Sequence, residues 1–103
     1  PDTYYLPNFL DNHDMDRFLF QCGNDKAKLK KAAQIQFAID QPAIIYYGTE
    51  LGMTQTKSMW KIPRYGDLQA RQPMDWENQD TELLHFYKKL IMQKKSRCIN
   101  EMK

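Results

Sequence analysis

Asn12-His13-Asp14 closes the run Asn8-Phe9-Leu10-Asp11-Asn12-His13-Asp14, and Arg17 follows soon after. An apolar, strand-like stretch that stops in a histidine and a carboxylate stands where α/β proteins do their chemistry. Parallel strands give way to loops at their C-terminal ends, and functional groups collect there. Taken alone, such residues more often form a turn and helix-cap cluster than a catalytic site. Two further segments give the motif its weight. Ala43-Ile44-Ile45-Tyr46-Tyr47-Gly48-Thr49-Glu50-Leu51-Gly52-Met53 is a second apolar run with a carboxylate, Glu50, just past its end. Arg71-Gln72-Pro73-Met74-Asp75-Trp76 places another cation and carboxylate further on.

These groups need elements to hold them. The stretch from Tyr4 to Leu10 is extended in character, and Pro7 limits its regular part to a strand at about 8–10. Asn24 or Asp25 caps an expected helix at about 25–39, with Leu29, Ala32, Ala33, Ile35, Phe37 and Ile39 on one broad face. Gln41-Pro42 stops it. Ala43 to Tyr47 is apolar without alternation, as in a parallel strand covered on both sides, so a strand is expected at about 43–47. A long loop then occupies about 48–79. Loops of that length in compact domains are usually functional. The last helix, at about 81–96, is capped by Asp80 or Thr81 and buries Leu83, Leu84, Tyr87, Leu90 and Ile91. Lys94, Lys95 and Arg97 suit its C-terminal dipole.

Bulk properties exclude several classes. The chain has 103 residues, 42% of them hydrophobic and 13% aromatic, with a net charge of +2. That is one small globular unit, not a disordered chain. The clusters Lys26-Lys28-Lys30-Lys31 and Lys88-Lys89-Lys94-Lys95 fall within amphipathic helices and read as solvated faces, so no nucleic-acid partner is expected. Cys22 and Cys98 lack neighbours at metal-ligand spacing, so no metal site is expected; a disulfide between them stays open. No apolar run approaches the ~20 residues of a membrane span, and no membrane partner is expected. The chain begins at Pro1 without visible targeting segment, and compartment stays open.

Strand, helix, strand, long loop and helix make a poor complete domain, because two strands leave both sheet edges bare. The natural setting is the end of a larger parallel α/β structure. Here the motifs converge. Phe9 to Asp14 resembles the fourth conserved region of the α-amylase family, glycoside hydrolase family 13. Ile44 to Met53 resembles that family's eighth barrel strand and following turn. Arg71 to Trp76 is similar to its Arg-x-Pro-Met-x-Trp signature, and Leu84 to Ile91 to its closing barrel helix. The resemblance covers nearly the whole chain in the right order. It implies an α/β fold in which residues 1–103 are the C-terminal portion of a catalytic (β/α)8 TIM barrel, from strand 7 to helix 8.

The resemblance also implies roles. Asp14 matches the catalytic carboxylate called the transition-state stabiliser, which hydrogen-bonds the sugar where the bond breaks and favours an oxocarbenium-like ring. Such binding raises the chemical rate because it strengthens in the transition state. A carboxylate suits the role by accepting two hydroxyl hydrogen bonds beside a developing positive charge. His13 matches a sugar-binding histidine, and Asp67 and Arg71 match an Asp-x-x-x-Arg pattern lining the same or the next subsite. One of Trp60, Tyr65 and Trp76 is expected to stack on sugar. Glu50 is structural in the family; Asp11 and Asp16 read as turn and solvent residues. Arg17 reads as pairing with a carboxylate, Tyr46 and Tyr47 as wall packing, and Asp75 and Trp76 as loop anchors.

The implied substrate is an α-linked oligosaccharide or glucoside, and the implied partner is the remainder of the barrel. A retaining glycosidase also needs a nucleophile and an acid/base about 5 Å apart. In the family these lie on strands four and five, so the isolated segment is expected to be inactive. No cofactor is expected in this segment; family calcium sites lie mostly in earlier ones, and calcium in the parent stays open. Two other readings share the motifs: a non-catalytic barrel subunit of an amino-acid transporter, and a small carbohydrate-binding module. Exposed Ile44, Ile45 and Phe37 would favour self-association of the segment alone.

Overall fold

The computed structural model describes residues 5–101. Two short strands, β1 (Asn8–Phe9) and β2 (Ala43–Ile44), pair in parallel, with Asn8 opposite Ala43 and Phe9 opposite Ile44. Between them run α1 (Phe18–Gln21) and α2 (Lys26–Ala38). After β2 come three single-turn 3-10 helices, Thr49–Leu51, Met59–Lys61 and Gly66–Gln69, and then α3 (Thr81–Glu101).

Asp25 caps α2, its carboxylate accepting from the backbone N–H groups of Ala27 and Lys28. Asp80 does the same for α3 through Leu83 N at 2.9 Å, and its other oxygen takes the Lys26 ammonium, which ties the two helix starts together. Their apolar stripes meet: Leu29, Ala33 and Phe37 of α2 and Leu83 and Tyr87 of α3 form one buried cluster with Leu19 of α1. Phe37 and Tyr87 pack edge to face at 6.1 Å between centroids. Burying a side chain of this kind is worth about 1.5–3 kcal/mol, so these residues dominate the local stability.

The strands touch that core on one face only. Leu10, Ala43 and Ile45 pack against it, whereas Phe9 and Ile44 are 48% and 51% exposed. Buried Gln36 joins the layers, its amide donating to Asn8 O and Ile44 O.

Several expectations change. The strands at about 8–10 and 43–47 shorten to two residues each, because a ladder extends only where both strands have a partner. Tyr4 lies outside the described residues. The apolar run after Pro42 is covered on one side, not two. Ile35 and Ile39 are exposed, which narrows the α2 stripe, and Phe37 is buried, so it cannot promote self-association. Ile45 is half-buried, and Phe9 joins Ile44 on the bare face instead. The long loop carries three 3-10 turns and α1 precedes α2, neither read from the sequence. Lys94 and Arg97 cap the neighbouring helix rather than their own: they donate to Ile39 O and Phe37 O, each at 2.6 Å, at the C-terminus of α2. Cys22 and Cys98 are both free thiols.

Candidate active site

Asp14 sits in the loop that leaves the C-terminal end of β1. Asn12 sets its local geometry, accepting from Asp14 N at 2.8 Å in a side-chain-closed turn. Arg71 comes to it from the loop after the third 3-10 turn. Its Nη2 meets Asp14 Oδ1 at 3.0 Å, its Nε donates to His13 O at 2.9 Å, and its Nη1 lies 3.1 Å from Asp67 Oδ2. His13 Nε2 lies 3.3 Å from Asp14 Oδ2. All four residues singled out from motifs therefore form one cluster. The Asp14 and His13 side chains remain 70% and 62% exposed, open to a ligand.

What holds this exposed arch in place is buried and polar. Before Asp14, the Asp11 carboxylate accepts from Phe18 N at 2.9 Å and from Thr49 Oγ1 at 3.0 Å. After it, Asp16 accepts from Gln55 Nε2, Met59 N and Ser58 Oγ at 2.8, 2.8 and 2.6 Å. Gln55 completes the tie by accepting from Arg17 N at 2.7 Å. Both ends of the loop are thus pinned to the segment that follows β2.

Asp11 and Asp16 are buried, at 2% and 7% exposure, which corrects their reading as turn and solvent residues. Their carboxyls respond oppositely. Burial pushes the Asp11 carboxyl up, against the hydrogen bonds from Phe18 and Thr49 and the charge of Arg17. Burial also acts on Asp16, but the bonds from Ser58, Met59 and Gln55 together outweigh it and hold that carboxyl low. Arg17 is corrected too: it donates to Tyr47 O at 2.9 Å and lies against the Tyr46 and Tyr47 rings instead of joining a carboxylate.

Glu50 turns inward to its own loop, accepting from Gly48 N at 3.0 Å. Asp75 anchors a turn through Glu77 N and Asn78, while Trp76 is 72% exposed and anchors nothing by burial. Trp60 and Tyr65 are exposed as well, at 73% and 67%. Among the described residues no group of three His, Cys, Asp or Glu could hold a metal ion, and no helix is long and apolar enough to cross a membrane.

Gln55, Ser58 and Thr49 carry no local sequence signal, because their partners lie far away along the chain. The one available signal was that acidic residues flank Asp14 on both sides, more than an exposed turn requires.

A polar cluster at the C-terminal ends of parallel strands, backed by helices, defines a piece of a parallel α/β architecture. The α-amylase catalytic-domain family matches residues 1–100, and the chain belongs to that family. It is 40% identical over 91 residues to α-amylase 2 of Dictyoglomus thermophilum, covering 86% of this chain and 16% of that protein. It is 40% identical to neopullulanase 2 of Thermoactinomyces vulgaris, covering 84% and 14%, and 36% identical to the intracellular maltogenic amylase of Bacillus subtilis strain 168, covering 85% and 14%. The chain thus spans 14–16% of the length of these relatives. In fold it matches the crystal structure of an α-amylase from H. orenii with a TM-score of 0.67, at 24% identity, over 90% of this chain and 23% of that one.

Proposed function

We propose that this chain is the strand 7 to helix 8 segment of a retaining α-glycosidase or transglycosidase, and that Asp14 is its transition-state-stabilising carboxylate. The observation that carries the reading is the convergence of Arg71 on both His13 and Asp14. Two separate motifs of one family meet there at bonding distance, on the strand ends where such a barrel keeps its active site.

In this reading Asp14 accepts hydroxyl hydrogen bonds from the sugar at the cleavage point, and His13 donates to a hydroxyl of the same unit. Arg71 fixes one Asp14 oxygen, and Asp67, holding Arg71 from the other side, lines the same or the neighbouring subsite. The distorted, positively charged ring is favoured over the relaxed one, which selectively lowers the barrier. The nucleophile and acid/base belong to the full-length protein, as does the barrel surface that covers Phe9 and Ile44. The substrate is an α-linked oligosaccharide or glucoside, in keeping with relatives named as amylases and neopullulanase.

The test is Asp14→Asn in the full-length protein. Turnover on maltooligosaccharides should fall by about 10³-fold or more with a modest change in KM, the signature of an interaction made mainly in the transition state. Near-normal turnover would sink the assignment.

A further inference from the structure

The Arg17 side chain is fully buried. Its Nη1 donates to Tyr47 O, while Nε and Nη2 have no acceptor among the described residues. Two aromatic rings take their place: the guanidinium carbon lies 4.8 Å from the centroid of Tyr46 and 4.8 Å from that of Tyr47. The two rings pack edge to face with centroids 4.6 Å apart. Sealing a cation away from water with incomplete partners is unfavourable, and ring contacts offset part of that cost. Simple packing would be served better by an apolar side chain, so the arrangement points to a geometric task.

Both tyrosines reach past Arg17 to the same short segment. The Tyr46 hydroxyl donates to Ala70 O at 2.8 Å, and the Tyr47 hydroxyl donates to Gln72 O. These two carbonyls bracket Arg71. Burial first, and Tyr47 beside it, push the Tyr46 hydroxyl up to about 12, so it keeps its proton in neutral solution. Arg17 itself belongs to the Asp14 loop, with its own N–H held by Gln55. One buried side chain therefore starts from the carboxylate's loop and ends against the two rings that grip the backbone on either side of the carboxylate's cation.

We propose that Arg17, Tyr46 and Tyr47 form a clamp that sets the position of Arg71 and through it the direction of Asp14, making Arg17 a positioning residue for turnover. The inference rests on the reading of Asp14 given above. It adds that the carboxylate is aimed from beneath, by groups that never touch the sugar.

The test uses the full-length protein with Tyr46→Phe and Tyr47→Phe combined. Both rings stay around Arg17 and only the two hydroxyl bonds are lost. The clamp predicts a fall in kcat of about 10- to 100-fold, with KM changed less than about threefold. It also predicts hydrogen exchange at Arg71 Nε–H at least about tenfold faster. Arg17→Lys, which keeps the charge but not the planar stacking, should likewise lower kcat and quicken the same exchange. Arg17→Met, which removes the charge as well, should lower kcat at least as far, and the double phenylalanine variant decides the matter if that protein folds poorly.

Unchanged kcat and unchanged exchange in the double variant would overturn the proposal. The exchange readout keeps the two readings apart. If exchange quickens in a protein whose Asp14→Asn form turns over normally, the role assigned to Asp14 fails and the link from clamp to turnover falls with it. If Asp14→Asn is inactive yet exchange and kcat are unmoved by the tyrosine changes, only the clamp is wrong.

Discussion

Across the α2–α3 contact, Leu29, Ala33 and Phe37 meet Leu83 and Tyr87, whereas beneath the Asp14 loop the buried groups are Asp11, Asp16, Arg17, Thr49 and Gln55. The first region is held by removing apolar surface from water, a force without direction that tolerates small shifts. The second is held by hydrogen bonds to charged groups, each with a preferred length and angle and each costly to leave unmade. Helices that only support a strand can be fastened by the first means. A carboxylate with the role proposed for Asp14, meeting a particular sugar hydroxyl, requires the second. The contrast assigns stability to one region and precision to the other.

That division can be broken by mutation, and Leu83→Ala is expected to give the largest change in stability. Leu83 is fully buried in the cluster, so its truncation should cost about 2–5 kcal/mol. Urea unfolding measures this, and kcat of the folded protein should stay within about twofold of normal, since nothing in the site moves. Asp16→Ala should reverse the pattern. It strands the donors of Gln55, Ser58 and Met59, costs about 2–3 kcal/mol, and should lower kcat by about tenfold or more through misplacement of Asp14. If Leu83→Ala damages kcat as much as Asp16→Ala does, the division is wrong.

Gly66→Ala sharpens it on the other loop. A Cβ there would stand 2.2 Å from Met59 O, a backbone atom that cannot swing aside. The turn carrying Asp67 must shift, at a cost of about 1–3 kcal/mol, and KM for oligosaccharide should rise. A smaller effect is expected from pH. The Asp16 carboxyl is held below its ordinary value of 3.8, so its contribution is present above that pH and lost as pH falls through the folded value. Asp11 is raised, so its contribution has the opposite sense, present at low pH and lost as pH rises through its folded value. Asp16→Asn should therefore flatten the acid limb of a stability-versus-pH curve, while Asp11→Asn should flatten the loss on the rising side. Two identical curves would contradict the opposite shifts.

The grouping of His13, Asp14, Asp67 and Arg71 was legible because they sit in linear motifs, where residue type and spacing carry the information. The helix cores were legible for the same reason: Leu29, Ala33, Leu83 and Tyr87 recur at the helical period. The pins were not. Thr49 reaches Asp11 and Gln55 reaches Asp16 across the strand crossover, a separation that no local pattern encodes. Lys94 and Arg97 show the same limit, since their charge suited the end of their own helix while their acceptors lie on α2. The strands are shorter than their apolar runs because apolar character marks what can pair, and pairing also needs a neighbour.

The most direct measurement compares two ligands on the full-length protein and its Asp14→Asn form: a maltooligosaccharide, and an oligosaccharide inhibitor whose reacting ring is flattened and cationic. If Asp14 acts on the distorted ring, the inhibitor should lose about 10²-fold or more in affinity while the substrate loses less than about tenfold. Equal losses for the two would mean that Asp14 binds sugar without favouring the transition state, and would contradict the central claim.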